Sequence, residues 1–595
     1  MATSPQTGDV GDVPLRPSET QGSLNVGIVG GGIAGLYTAL YLQSKGHRVH
    51  IFEGTERIGG RVHTHYFTPE NNQYYEAGAM RVPFHKFQEI FFQLVDYVND
   101  RVPVEKQVEL IDYRLAADGN LVYINGIRPQ GAASNTTPAA VDWPGIPEGY
   151  QHRTAHQLLT EAVDDLIHEL KVALNFESAF WDIVMRYDQY TFRAYCINVK
   201  GWNNALVDFV ETMMSQTNQF NLSVPELVMQ TLDFNVVQWK TIHDGMSRLP
   251  EAMAHLVGLD NITFGARVTG AAFDRVVLAI PPAALRMVVD RPRWKPGKEM
   301  AIRALHFEPL YKMGLRFKTR FWEHGTPASR GGQSTTDLPI RWIVYPSNGV
   351  GEDGPGVLLV YSWMTDATNW LPLTPLERRD VVLYCLAEVY NGQVDRNGNI
   401  INVYELFIES ADHVWASSTA TGDAMFLPGQ FEEHFKVARE HEGPIYFAGE
   451  HLSFHHTWIS GASQSALKVV RDMLHDPDLP LLQGRTPISR PPPDAALPSF
   501  LFQPNNPMFL GIFKTNIPGH SSRRWPPKGY DKKLGDGGSN DDHDDPEDGG
   551  GAKIVKLLPK SLGMLGKDGF GVVVSHLTNA HAEIVGWDKG RYYVK

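Results

Sequence analysis

The sequence predicts an α/β protein whose first domain is a parallel-sheet unit assembled from segments far apart in the chain. Three observations predict it. A β-branched run, Asn25-Val-Gly-Ile-Val29, passes through a glycine-rich turn into an apolar helical stretch at 36–42, and Arg48-Val-His-Ile-Phe-Glu53 follows as a second strand. This is a βαβ unit of about thirty residues, the span the motif needs. Strand signals return at 274–280, stopped by Pro281-Pro282, and, after others in between, at 444–448. The last of these leads into a helix from 460 to about 474, with Ala462, Ala466, Leu467, Val470 and Leu474 on one face. The unit is therefore read as Rossmann-like and discontinuous.

Taken in order, residues 1–23 are rich in Pro, Gly, Ser, Thr and acid and are expected to be disordered. Segments 24–62, 241–300 and 440–478 make the nucleotide-binding domain. Segments 63–150 and 301–439 make a sheet-based substrate domain, with strands expected at 312–317, 340–345 and 357–363. Residues 151–240 read as a helical insertion, because Leu158, Leu159, Ala162, Leu166 and Leu170 recur at helical spacing. A linker is expected over 479–552. It is proline-rich at 489–498, and 535–552 holds seven acids with no Lys or Arg. Residues 553–595 regain an apolar pattern and are read as a small module of unknown role.

Composition narrows the function. Lys and Arg number 54 against 67 Asp and Glu, a formal net charge of −13, which disfavours nucleic-acid binding. Two cysteines, Cys196 and Cys385, cannot build a disulfide framework or a cysteine metal site. His243, His451, His455 and His456 lack metal-ligand spacing. With no apolar run of the ~18 residues a membrane span needs and no signal-like start, a cytoplasmic protein is expected.

The turn Gly30-Gly-Gly32-Ile33-Ala34-Gly35 sits between strand and helix, as a dinucleotide turn must. Gly30 allows the tight turn, Gly32 lets the backbone approach a pyrophosphate, and Gly35 allows close helix–strand packing. Glu53, ending the second strand, can accept from ribose hydroxyls. It continues as Gly54-Thr-Glu-Arg57-Ile-Gly-Gly60-Arg61, whose glycines and arginines offer more backbone approach and charge to the same pyrophosphate. An NAD site needs no such second element. Far downstream, Ile445-Tyr-Phe-Ala-Gly449-Glu450 precedes the helix near 460, whose positive end suits an anionic ring.

At these motifs, and at Glu76-Ala-Gly-Ala79-Met80-Arg81-Val-Pro83, the sequence resembles the flavin-containing amine oxidase superfamily, and within it the L-amino-acid oxidase family, over roughly residues 25–476. The resemblance implies FAD, held without a covalent link because no cysteine lies nearby. It places Glu53, Arg57, Gly60 and Arg61 on the cofactor, with Gly30, Gly32, Ile33, Ala34, Gly35, Gly54, Ala79, Met80, Arg81, Val268, Gly449, Glu450, Trp458 and Ile459. It implies that Arg81 and Tyr361 grip a substrate carboxylate, and that Lys312, nine residues before Phe321-Trp322, holds a water at flavin N5. Trp458 and Trp415 become walls of the substrate cage, and the Thr457 carbonyl accepts from the substrate amine. The implied reaction is oxidative deamination of an L-α-amino acid with O2, giving a 2-oxo acid, ammonia and hydrogen peroxide. A homodimer is also expected.

Only five residues, 269–273, separate Val268 from Asp274, too few for the strand excursion the family carries there, so FAD is expected to be held less firmly. Two alternatives stay open: an amine or polyamine oxidase on the same fold, and a non-catalytic flavin-binding relative. Asp182 and Asp188 could favour a basic substrate but are read as surface acids.

Overall fold

Strands from distant parts of the chain come together as one parallel sheet. Its order is Ile445–Phe447, Arg275–Leu278, Asn25–Val29, Arg48–Phe52, Ile262–Thr263, with every pairing parallel. The structure is a computed structural model. It describes residues 22–485, apart from 71, 118, 130, 267–272, 289–290, 326–327, 396 and 417–420, together with the backbone of 584–588 and 591–594. Helix Ile33–Ser44 is buried along nearly its whole length and packs against Ile459–Leu474 and Arg248–Val257. Val26, Ile28, Ile51, Val277 and Val470 close the core between them.

A second sheet has six strands among the described residues. Its order is Phe407–Trp415, Leu310–Phe317, Gly356–Trp363, Trp342–Val344, Gln333–Thr336, Val122–Tyr123. All its pairings are antiparallel except the last. The register sets Lys312 opposite Tyr361 on one side and His413 on the other. Directly opposed side chains point to the same face, so all three lean together.

Between these sheets in sequence lie five helices, Ala155–Val172, Phe176–Tyr187, Phe192–Asn198, Asn204–Met213 and Val224–Phe234. The first opens on a capping box, in which Thr154 and Gln157 satisfy each other's free backbone N–H groups. Asp188 is fully buried and accepts the Glu432 N–H at 3.0 Å, so it is a structural acid and not the surface acid expected.

Residues 479–485, expected to belong to the linker, are packed. Leu479 and Leu482 are buried, Tyr41 donates to the Pro480 carbonyl at 2.6 Å, and the Leu482 N–H reaches the Tyr37 hydroxyl at 3.3 Å. The proline-rich and acidic stretches lie outside the described residues, as do 1–21 and most of 553–595. Within the last, Ile584–Asp588 and Arg591–Val594 pair antiparallel. Val268 and most of the short loop also lie outside. Phe273, at the loop's end, lays its ring edge-on to Phe52 with centroids 5.9 Å apart, and Asp274 exchanges hydrogen bonds with Asn25.

Candidate active site

The glycine turn is closed by its neighbours. Gly30 has φ +107°, and its N–H donates to the Phe52 carbonyl at 2.8 Å. A Cβ on Gly35 would stand 2.0 Å from the Gly30 carbonyl oxygen, so the helix can meet the strand only there without a side chain. The N-cap Gly32 supplies no side-chain cap, and the first turn of the helix holds no acid. The first turn is thus presented without a side-chain cap, at the positive end of a twelve-residue helix. A Cβ on Gly32 would meet nothing nearer than 4.0 Å, where Gly59 and Gly60 approach from the second glycine pair. This cradle fits a pyrophosphate.

Glu53 is buried at the end of its strand. Oε2 takes the Gly31 N–H at 2.7 Å, and Oε1 takes the Thr55 N–H and hydroxyl at 2.9 and 2.8 Å. It shapes the loop, and a lone pair stays free on Oε2. Arg61 donates to Glu450 Oε1 at 2.7 Å and to the Gly422 carbonyl at 2.9 Å. Arg57 lies over the Trp415 ring at 5.9 Å, its guanidinium pushed down from the ordinary arginine value by burial. Burial works to raise the Glu450 carboxyl, but Arg61 first, then His456 and His451, outweigh it and hold it low. Glu450 Oε1 also takes the Ala424 N–H at 3.2 Å, and Oε2 takes the Thr457 N–H at 2.9 Å.

The stretch from Glu76 to Arg81 is locked from several sides. Glu76 accepts from the Met246 N–H and the Thr64 hydroxyl, each at 2.8 Å. Trp415 Nε1 donates to the Ala77 carbonyl at 2.6 Å, and Lys312 Nζ to the Gly78 carbonyl at 2.5 Å. Arg81 then enters an aromatic box. Its guanidinium lies 5.4–5.7 Å from the rings of Phe234, Trp239, Tyr113 and Trp342, and hydrogen-bonds the Tyr113 hydroxyl at 3.3 Å. The side chain is buried, yet among the described residues no carboxylate comes within ion-pair distance of it. The indole N–H groups of Trp342 and Trp458 are buried there without a partner. Buried charge is ordinarily paired, so this guanidinium departs from the common pattern among the described residues.

Lys312 sits beside it, fully buried, with Nζ 4.5 Å from the Tyr361 ring centroid. Burial first, then Arg81, bring its ammonium down to about 7, against the pull of Glu76 and Asp423. Burial raises the Tyr361 phenol far above its ordinary value, so it stays protonated. Trp458, the N-cap of helix Ile459–Leu474, packs against Phe234 and Trp239 at 5.6 and 6.0 Å. Thr457 holds φ +74°, which β-branched residues avoid, so its carbonyl is aimed by its surroundings.

Shared ring contacts link Arg81, Tyr361, Lys312 and Trp458, Thr457 precedes Trp458 in the chain, and Trp415 stands beside Arg57. Sequence reasoning missed Tyr113, Phe234, Trp239 and Trp342, which complete the box. It also missed Asp423, whose carboxyl is raised to about 7 by burial and by Glu450. His63 and His413, each lowered to about 4 by burial and then Arg57, were missed too. Trp342 had a readable signal, since it lies in the expected 340–345 strand and pairs with Tyr361. The others had none.

Comparison with known proteins gives the family. A candidate bifunctional amine oxidase of Dictyostelium discoideum is 30% identical over 518 residues, which cover 78% of this chain. The chain spans about half of that protein, 47% of its length. L-amino-acid oxidase 4 of Hebeloma cylindrosporum is 28% identical over 531 residues, covering 78% of this chain and 83% of its own. A putrescine oxidase solved with putrescine superposes with a TM-score of 0.59 at 17% identity, over 76% of this chain and 99% of that one, a likeness of fold. The profile of flavin containing amine oxidoreductases matches residues 33–474, from the first helix through the aromatic box. The cofactor is accordingly FAD, and the chain belongs to the flavin-containing amine oxidoreductase family.

Proposed function

We propose that the protein oxidises L-α-amino acids, with water and O2, to 2-oxo acids, ammonia and hydrogen peroxide. One observation carries the reading: Arg81 is a buried guanidinium in an aromatic box with no carboxylate of its own among the described residues. A simple amine offers that group nothing, whereas an α-carboxylate matches its planar fork with two parallel hydrogen bonds. The relative named L-amino-acid oxidase 4 supports the same substrate class.

In this reading Arg81 and the Tyr361 hydroxyl hold the carboxylate, which fixes Cα. The Thr457 carbonyl accepts an N–H of the amine and keeps its lone pair aligned with the Cα–H bond. Trp458 walls the cage, and the rings of Phe234, Trp239 and Trp342 keep water from the guanidinium. Lys312 Nζ, tethered to the Gly78 carbonyl and close to half-protonated near pH 7, can hold a water and exchange a proton with it. FAD would be held by the uncapped helix start after Gly32, by Glu53, Arg57 and Arg61, and on its ribityl side by Glu450. When bound, it supplies the two-electron acceptor for the Cα hydrogen and passes the electrons to dioxygen.

The test is peroxide release by flavin-loaded protein, offered L-amino acids in parallel with the amines they give on decarboxylation. Oxidation of the amino acids, with the matched amines slower by at least tenfold in kcat/KM, supports the reading. Preference for the amines overturns it.

A further inference from the structure

The helix Val224–Phe234 meets the loop carrying Thr457 and Trp458 through two carboxylate–imidazole pairs. Glu226 Oε2 lies 2.7 Å from His456 Nδ1 and also accepts the Phe426 N–H at 3.1 Å. Asp233, two helical turns on, lies 3.0 Å from His455 Nδ1. It also accepts from Gln88 at 3.1 Å, and His85 stands 3.5 Å away. Glu226, Asp233, His455 and His456 are all at most 3% exposed. Each imidazole is braced flat against a ring, His455 on Phe176 at 6.1 Å and 18°, His456 on Phe431 at 5.5 Å and 5°. Next in the chain comes Thr457, with φ +74° and its N–H on Glu450.

Two adjacent loop residues are thus tied to two points on one helix that lie seven residues apart, about 10.5 Å along its axis. A single tie would let the loop swivel, whereas two fix both its place and its rotation. A left-handed β-branched residue relaxes unless its neighbours over-determine it. The residue on one side of Thr457 is held by this clamp, and on the other side Trp458 starts a helix.

We propose that Glu226 and Asp233 are positioning residues, which act through His456 and His455 to hold the Thr457 peptide in its left-handed conformation and so aim its carbonyl and the Trp458 ring at the substrate amine. That the target is an amino acid's amine rests on the function proposed above; the clamp itself does not. Because the helix belongs to the helical segment and the loop to the nucleotide side, substrate geometry would be set by how those two parts dock.

The test uses full-length, FAD-loaded protein with Glu226→Ala and Asp233→Ala, set against Glu226→Gln and Asp233→Asn, which keep an acceptor oxygen for the imidazole. Two readouts are taken: kcat and KM per bound flavin, and hydrogen–deuterium exchange of residues 449–462. The alanine variants should lose 10- to 100-fold in kcat with KM changed less than threefold, and exchange faster at 457–461. The amide variants should recover most of both. Alanine variants that fold, bind flavin and show wild-type kcat and exchange overturn the proposal. If they fail to fold, His455→Asn and His456→Asn replace them, and the same losses support the clamp while wild-type kcat and exchange overturn it. Should the wild type prefer an amine, kcat is read on that amine. The exchange readout needs no substrate, so failure of the functional reading and failure of the clamp are told apart.

Discussion

Arg81→Met is the sharpest perturbation of the proposed substrate site. The methionine keeps an unbranched apolar stem among Tyr113, Phe234, Trp239 and Trp342 while removing the guanidinium those rings surround. Removing one partner of a desolvated, hydrogen-bonded charge pair costs about 2–5 kcal/mol, much of it from stranding the other charge. At 1.36 kcal/mol per tenfold, kcat/KM for an L-amino acid should fall about 30- to 5,000-fold. The matched decarboxylated amine brings no carboxylate to strand, so its kcat/KM should change little, and the two substrates should converge. Flavin content should be unchanged. Without substrate the melting temperature should hold or rise, because Arg81 buries a charge that no described carboxylate offsets. Peroxide-coupled kinetics on both substrates, the flavin absorbance ratio and a thermal scan make the set. A loss under threefold on the amino acid, or an equal loss on both substrates, removes Arg81 from carboxylate recognition.

Lys312 loses its proton as pH rises through about 7, so a step that needs the neutral amine should speed up across that range. Lys312→Met should abolish that limb in anaerobic flavin reduction or in reoxidation; an unchanged profile in both refutes the role. Asp423 pulls the Lys312 value upward, so Asp423→Asn should move the same limb to lower pH, and a shift to higher pH contradicts the electrostatics. Gly35→Ala forces a Cβ to 2.0 Å from the Gly30 oxygen and should abolish FAD uptake in a titration, whereas Gly149→Ala, with open space around it, should not. Phe273→Ala removes a partly buried ring from the sheet face and should cost about 1.5–2.5 kcal/mol in urea unfolding, half the toll of a fully buried Phe; no change would make the loop's end dispensable.

What could be read from the sequence was whatever is local. The glycine turn, the strand ending in Glu53 and the 459–474 helix announce themselves through spacing and flanking residues. Arg81, Lys312 and Tyr361 were reachable through resemblance. The aromatic box was not, because Tyr113, Phe234, Trp239 and Trp342 come from four separate segments and each alone reads as core. Strand register, which sets Trp342 and Lys312 beside Tyr361, is decided by packing across the sheet and leaves no local mark. The same holds for Glu226 and Asp233, ordinary helix acids until His455 and His456 are brought to them. Residues 479–485 misled for the opposite reason: their proline-rich continuation looks like linker, yet two leucines and two tyrosine hydroxyls tie them down.

The strand order of the nucleotide sheet bears on how the protein is made. Asn25–Val29 stands beside Arg275–Leu278, which in turn waits for Ile445–Phe447. On a ribosome the first βαβ unit emerges early, but its inner neighbour arrives some 250 residues later and the outermost strand later still. Until then a growing chain carries an open, apolar strand edge of the kind that templates association. Contacts this distant in sequence close slowly. Synthesis should therefore yield a long-lived intermediate that chaperones can capture, and premature termination before residue 445 should give insoluble product even though most of the substrate sheet is already complete.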